Sequence, residues 1–236
     1  ICPWFGLRRR IFSGSSSFVR SFNLFIQKQT KENTMKNTLS IFAVIILFTA
    51  STFAQGFKVK ASGDQKFNFE DKGGRNQATF FSTTPLEDIT GLSNDVKGSV
   101  AFNLSDLKTL KGKVSVTIAS IKTGIDLRDG HMRSASWLDA ESFPETSFEI
   151  KKVSDVKSIA DNKLTAKITG NFTLHGVTKE VVAEATLTYL DESEQTKMRS
   201  PGDLLGVQAK FNVKLSDYDV NNKIVGQKVS ENIEVS

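Results

Sequence analysis

The sequence has 236 residues, of which 39% are hydrophobic and 24% are charged. That apolar fraction is enough to build a packed core, which excludes a wholly disordered chain. The net charge of +5 would favour a polyanionic partner. The charge is uneven, however, because residues 1–54 carry seven basic side chains and one acidic one, which leaves 24 basic and 25 acidic side chains in residues 55–236. We therefore expect no nucleic-acid partner for the nearly neutral remainder.

The residues that follow the first methionine, Met35, have the pattern of a secretory signal peptide. Lys36 supplies the positive start, residues 41–48 form an apolar run, and Ala54 is the small residue before the expected cleavage point. The apolar stretch is shorter than the roughly 20 residues that a membrane span requires, so we expect no stable membrane anchor. The pattern predicts a cleaved signal peptide at residues 35–54 and a periplasmic or secreted protein.

Residues 1–34 are rich in Arg, Ser and Phe and almost free of acidic side chains. A transit peptide or a basic arm would have this composition, but a signal peptide directly behind it favours upstream translation that is not native. The only cysteine, Cys2, lies in this segment. The mature chain would therefore contain no disulfide, no cysteine-ligated zinc and no thiol nucleophile.

Alternating apolar and polar residues in the body of the chain predict amphipathic strands. From Lys163 to His175 the even positions are apolar or small and the odd positions are polar, and the alternation resumes from Val181 to Tyr189 after a short connection containing Gly176. Two such runs predict a hairpin. Further alternating runs lie at residues 100–104, 114–118 and 207–215, with weaker ones at 67–69 and 79–82. About eight strands predict a closed antiparallel barrel or a sandwich.

One stretch, residues 126–140, has apolar residues at helical spacing instead. We expect a short helical segment there, with Asp126 as its N-cap and Asp129 paired with Arg133 one turn later. No linker or repeat divides residues 55–236, which predicts one domain. The chain stops at Ser236 inside what looks like a last strand, so we expect this domain to be truncated at its C-terminus.

Two long motifs resemble the signatures of the YceI-like family. The first runs from Ala119 through Arg128-Asp129-Gly130-His131-Met132-Arg133-Ser134 to Phe148. The second is Ile168-Thr169-Gly170-Asn171-Phe172-Thr173-Leu174-His175-Gly176-Val177-Thr178-Lys179. The resemblance covers residues 57–236. It implies an all-β, lipocalin-like extended antiparallel barrel and an exported bacterial protein. It also implies a partner that is a hydrophobic amphiphile, such as a polyisoprenoid, held inside the barrel; the oligomeric state, including a homodimer, stays open.

Several aromatic and branched residues alternate onto the inward face of such a barrel, where they would contact an apolar ligand or simply pack on each other. They are Phe102, Ile118, Phe148, Ile168, Phe172, Val207 and Phe211. Small residues at other inward positions would leave room for a ligand, since a barrel of about eight strands is just wide enough for one. These small residues are Ala166, Gly170, Ala183, Ala185 and Ala209.

The charged cluster of Arg128, Asp129, His131 and Arg133 has two interpretations. It could recognise a ligand head group, with the arginines as donors to phosphate or carbonyl oxygens, or it could fasten the helix to the barrel rim, which we favour. We interpret His175 as part of a turn. Two histidines without cysteine predict no metal site, and no nucleophile or phosphate-loop motif predicts a catalytic residue or a cofactor.

The sequence therefore predicts a non-enzymatic, exported protein that sequesters or carries a polyisoprenoid or an isoprenoid quinone. Two alternatives stay open: a lipocalin-like enzyme that uses the Arg128, Asp129, His131 and Arg133 cluster, and a stress-related binder of diverse small hydrophobic molecules.

Overall fold

A computed structural model describes residues 55–69, 71 and 73–236. The signal peptide and the upstream segment predicted for residues 1–54 lie outside the described residues. The described part contains ten strands, namely β1 (Asp64–Asn68), β2 (Ala78–Thr83), β3 (Asp88–Ser93), β4 (Val96–Asn103), β5 (Asp106–Thr117), β6 (Glu145–Ala160), β7 (Lys163–Leu174), β8 (Val177–Leu190), β9 (Leu204–Lys214) and β10 (Asn232–Val235). Two short helices accompany them, α1 (Asp126–Arg133) and α2 (Glu194–Lys197), with 3-10 turns at Ile118–Ser120 and Leu215–Tyr218. In the part of the chain that is described, no helix has both the length and the apolar character needed to cross a membrane.

The ten strands form one antiparallel sheet in the order β1-β4-β5-β6-β7-β8-β9-β10-β2-β3, which curls into a half-barrel. The predicted all-β antiparallel fold is confirmed, with ten strands in place of about eight. β3 approaches the segment after β5, where Leu92 and Lys122 each donate a backbone hydrogen bond to the other at 2.9 Å. These two hydrogen bonds connect β3, at one edge of the sheet, to the segment after β5, which lies near the other edge in the strand order.

The hairpin of β7 and β8 confirms the alternation seen in the sequence. Twelve residue pairs join the two strands without a shift, from Lys163 with Thr188 to Leu174 with Val177. The even residues of β7 are buried throughout and face the interior. The chain reverses at His175 and Gly176, whose φ angles are 49° and 76°. A side chain at Gly176 would collide with the Phe143 ring, so both the left-handed backbone and the close contact require glycine there.

The 16-residue strand β6 shows no clear alternation in the sequence, although it is the longest strand described. Its pairing with β7 shifts register at three places along its length. Asp155, beside one of these shifts, has a left-handed φ of 52°. Each extra residue at a bulge moves the following side chains to the other face, which breaks the period of two on which sequence reading depends.

One end of the half-barrel is filled by a packed group that we call the floor cluster: Phe57, Phe67, Phe102, Leu107 and Tyr189. The rings of Phe57 and Phe102 have centroids 5.9 Å apart, and those of Phe57 and Tyr189 are 5.7 Å apart. The backbone N–H of Phe57 donates to the carbonyl of Leu104 at 2.7 Å, which holds the segment before β1 across this end. Burial and the neighbouring Asp203 carboxylate raise the pKa of the Tyr189 phenol, which donates a hydrogen bond to that carboxylate.

We predict that Phe102→Ala lowers the free energy of unfolding by about 3–5 kcal/mol, because it leaves a cavity among aromatic rings that cannot close. Urea denaturation measures this loss. Phe81→Ala removes the same atoms from a position that is 39% exposed and is expected to cost about 1 kcal/mol or less. Equal losses for the two variants would show that the floor cluster contributes no special stability.

Candidate functional site

The interior between the floor cluster and α1 contains an apolar cavity of about 850 Å³. This volume is near the upper end of the roughly 300–1,000 Å³ that ligand pockets occupy. Next to the floor cluster, its wall consists of Val100, Leu110, Ile168 and Leu187; next to α1, it consists of Ile118, Ile121, Trp137 and Leu138. The inner faces of strands from around the curl thus contribute to one continuous cavity.

Six of the seven residues that the sequence assigns to an apolar lining do line this cavity. They are Ile118, Phe148, Ile168, Phe172, Val207 and Phe211. Phe102 is different: it faces inward but lies in the floor cluster, 3% exposed, while Val100 two positions earlier lines the cavity. Alternation fixes the face of the sheet on which a side chain lies, but not its height along the barrel.

Three of these residues form an aromatic wall of Phe148, Phe172 and Phe211. The Phe211 ring centroid lies 5.5 Å from that of Phe148 and 5.0 Å from that of Phe172. Contacts at these distances and tilted angles are favourable beyond the area that they bury. The wall therefore presents three aromatic rings on which an apolar ligand can pack.

Four of the five small inward residues predicted from the sequence fall into two groups, and the fifth, Gly170, is packed against the Phe148 ring. Ala183 and Ala209 line the cavity, where their size leaves space. Ala166 and Ala185 are packed in the core beside the floor cluster, so they do not widen the cavity as expected.

Val207 is 37% exposed although it lines the cavity. The reason is that β10 pairs with β9 only from Phe211 to Lys214, so the stretch of β9 around Val207 has a described neighbouring strand on one side only.

The buried carboxylate of Asp129 fastens α1 to the segment that follows β5. The residue is 2% exposed, and its Oδ1 accepts hydrogen bonds from the Thr123 backbone N–H at 2.8 Å and from the Thr123 hydroxyl at 2.7 Å. Burial raises the pKa of this carboxyl. The two hydrogen bonds and the charges of Lys122 and Arg133 outweigh that effect and hold the pKa below its ordinary value of 3.8.

Arg133 completes this attachment. Its guanidinium lies 3.8 Å from the Asp129 carboxylate, as the predicted pairing one turn apart requires, and donates to the carbonyl of Ile121 at 3.2 Å.

The expected N-cap is wrong: Asp126 is the first residue of α1, and Ile125 precedes it without a side-chain cap. The helix is held by the buried Asp129 instead, so a local cap is not what fixes its start.

Arg128 and His131 lie on the cavity wall, unlike Asp129 and Arg133. Arg128 donates to the Glu87 carboxylate at 2.7 Å, which ties α1 to the turn between β2 and β3. The four charged residues are therefore not one site, since two fasten the helix and two contact the cavity. In the described residues, no three His, Asp, Glu or Cys side chains are grouped as metal ligands.

Comparison with known protein families identifies the family to which this chain belongs. A family model described as YceI-like domain matches residues 72–236, which is most of the chain. The chain belongs to the YceI-like family. The match includes both motifs that suggested the resemblance, and it includes the segments that carry α1 and the aromatic wall.

Two individual relatives of this YceI-like domain are 38% and 29% identical to it. A UPF0312 protein of Pseudomonas fluorescens is 38% identical over 118 residues, which are 49% of this chain and 60% of that protein, so the chain spans less than two thirds of this relative. Protein YceI of Salmonella agona is 29% identical over 191 residues, 80% of this chain and 89% of that protein. The crystal structure of a Campylobacter jejuni YCEI protein has a TM-score of 0.54 at 22% identity, covering 64% of this chain and 83% of that one, which supports the fold alone.

Sequence reasoning about this YceI-like domain missed the part of the cavity formed by β2, β3 and the residues after β9. Phe80, Ile89, Val220 and Val229 all line it. Phe80 and Ile89 lie in short strands, and Val220 and Val229 lie in a connection with almost no regular structure. Apart from the weak alternation at residues 79–82, these segments are too short to show a period. They reach the cavity only because the sheet curls and brings β2 and β3 close to the segment after β5.

We predict that Asp129→Asn lowers the free energy of unfolding by roughly 1.5–3 kcal/mol near neutral pH, since it replaces the charged acceptor of two hydrogen bonds by a neutral amide. A carboxyl whose pKa is depressed in the folded state contributes stability above its unfolded pKa and loses it as the pH falls through the folded pKa. The difference between wild type and variant should therefore shrink below about pH 3.8. Urea denaturation across pH 2–7 measures it, and a difference that does not change with pH would contradict the assignment.

Proposed function

We propose that this YceI-like domain sequesters or carries a long apolar ligand, a polyisoprenoid or an isoprenoid quinone, in its interior. The observation that carries the proposal is the continuous 850 Å³ cavity between α1 and the floor cluster, with its predominantly apolar wall. Water in such a cavity would find few hydrogen-bonding partners, whereas an apolar chain would replace it at a gain in free energy.

The energetics favour a long chain over a small molecule. Each buried methylene-like carbon contributes about 0.8 kcal/mol. Association costs roughly 4–15 kcal/mol in lost translational and rotational freedom. A few isoprene units are therefore enough to offset the cost of binding, and further units that fit the cavity add affinity.

Polar side chains at the α1 end support an amphiphile in place of a pure hydrocarbon. Arg128, His131 and Thr123 lie on this part of the wall, and the floor cluster at the opposite end is apolar. A ligand with a phosphate or carbonyl head group would place the head group near α1 and its tail towards the floor cluster. Arg128 keeps its Glu87 partner in this arrangement and offers its remaining N–H groups.

The same contacts favour binding over catalysis. The carboxylate nearest to His131 in the sequence, Asp129, is buried and hydrogen-bonded to Thr123, so it is not placed as an acid or base for a bound ligand. We propose that the protein is not an enzyme, that residues 35–54 are a signal peptide and that the domain acts in the periplasm or outside the cell. N-terminal sequencing of the native protein tests the leader: a mature chain that begins at Gln55 is expected, and one that retains residues 1–54 would contradict it.

We predict that the purified domain binds solanesol, a long isoprenoid alcohol, with one molecule per chain in native mass spectrometry. Ala209→Trp should weaken this binding by at least about tenfold, because the indole occupies volume that several methylene-like carbons of the ligand need. Val182→Trp introduces the same side chain at a position that is 52% exposed on β8 and should bind as the wild type does.

Two results would contradict the proposed function. One is a wild-type domain that binds neither solanesol nor ubiquinone. The other is equal affinity in the Ala209→Trp and Val182→Trp variants, which would place the bound ligand outside the cavity. Palmitate, tested in parallel, distinguishes an isoprenoid carrier from a binder of diverse hydrophobic molecules.

A further inference from the structure

A contact between Phe148 and Gly170 governs the shape of the cavity. Gly170 lies on the inward face of β7, and the Phe148 ring from β6 occupies the space in front of it. A Cβ atom at Gly170 would lie 2.5 Å from both Cε1 and Cζ of that ring, and 2.7 Å from the carbonyl oxygen of Glu149. Carbon atoms pack at about 3.5–4.0 Å, so the ring can take this position only because residue 170 has no side chain.

Phe148 stands between two parts of the cavity. It packs against the core next to the floor cluster and also against the core next to α1. On the floor side, the cavity continues along Val100, Leu110 and Leu187, which we call the deep part. Phe148 also lines the cavity, so a chain that extends from the part next to α1 into the deep part passes along its ring.

A larger residue at position 170 would displace this ring and would also press on the carbonyl oxygen of Glu149. On one side, the Phe172 and Phe211 rings of the aromatic wall limit its movement, since Phe148 already contacts Phe211. The sheet itself lies behind the ring, where Phe148 is paired with Phe172 across β6 and β7. The free volume available to a displaced ring is the cavity, so the ring would narrow the passage to the deep part.

We propose that the contact between Gly170 and Phe148 sets the depth to which an apolar chain enters, and thereby the length of chain that the domain selects. This inference rests on the proposed function and adds a determinant of specificity to it. In the native protein, the ring is drawn back against β7 and long chains use the whole cavity. With the ring displaced, only the part next to α1 stays available.

The test compares two isoprenoid alcohols of the same chemistry, the short geraniol and the long solanesol, by native mass spectrometry and equilibrium titration. Gly170→Ala is expected to weaken solanesol binding by about tenfold or more, since every methylene-like carbon kept out of the deep part weakens binding severalfold. Geraniol affinity should stay within about twofold of wild type. The double variant Gly170→Ala/Phe148→Ala keeps the contact of the new Cβ with the Glu149 carbonyl but removes the displaced ring, so it isolates the effect of the ring and should recover most of the solanesol affinity.

Two further variants separate this effect from a general loss of stability. Gly206→Ala is a matched control, because a Cβ there meets nothing closer than 3.7 Å, and it should bind both alcohols as the wild type does. Ala183→Leu fills the deep part from β8 without any change at Phe148 and should reproduce the selective loss of solanesol. Thermal unfolding of each variant confirms that it is folded.

The outcomes are distinct. Equal loss of both alcohols in Gly170→Ala, or unchanged solanesol binding in the folded Gly170→Ala and Ala183→Leu variants, would overturn this inference and leave the proposed function intact. Absence of binding by the wild-type domain would overturn the proposed function itself. Selective loss of solanesol, with recovery in the double variant, supports both.

Discussion

The unbroken pairing of β7 with β8 is the constraint on which the rest of the structure depends. Twelve consecutive pairs keep the inward residues of both strands in register, so the apolar faces of the centre of the sheet form one surface. A slip of one residue would turn these faces to water. The neighbouring strands β6 and β9 then pair against a fixed template, and the bulges of β6 are tolerated because β7 does not share them.

The same inward surface is packed at one end and hollow at the other, and the difference lies in side-chain volume. Phe57, Phe102 and Tyr189 meet at the floor cluster and fill the curl. Further along, Ala183 and Ala209 occupy inward positions and leave space in the interior. The cavity is therefore a consequence of the residues on the inner face, and it ends where the aromatic rings of the floor cluster begin.

Asp129, in α1, is the one fully buried charged side chain in the described residues, and its charge is tightly compensated. Asp129 has two hydrogen bonds and two cations to balance its burial, which makes it a structural attachment for an otherwise short helix. The attachment places Arg128 and His131 on the cavity wall without exposing a buried charge to the ligand. The cavity therefore has polar side chains at the α1 end, which the buried carboxylate of Asp129 holds in place. At the opposite end it is closed by the aromatic rings of the floor cluster.

The sequence by itself determined the all-β class, the β7–β8 hairpin and the helical turn near residue 126. It also determined the inward face of five strands, namely β4, β5, β7, β8 and β9, because these features depend on local periods of two and of about four residues. The tertiary structure alone decided that Phe102 belongs to the floor and not to the cavity, and that Arg128 and Asp129 have separate roles. It also decided that β2, β3 and the residues after β9 complete the wall, and that β6 is a strand in spite of its bulges. The physical reason is that these features depend on strand register and on side-chain volume across the sheet. Register and volume decide how high a residue lies along the curl and which distant segments meet, and no local sequence pattern contains that information.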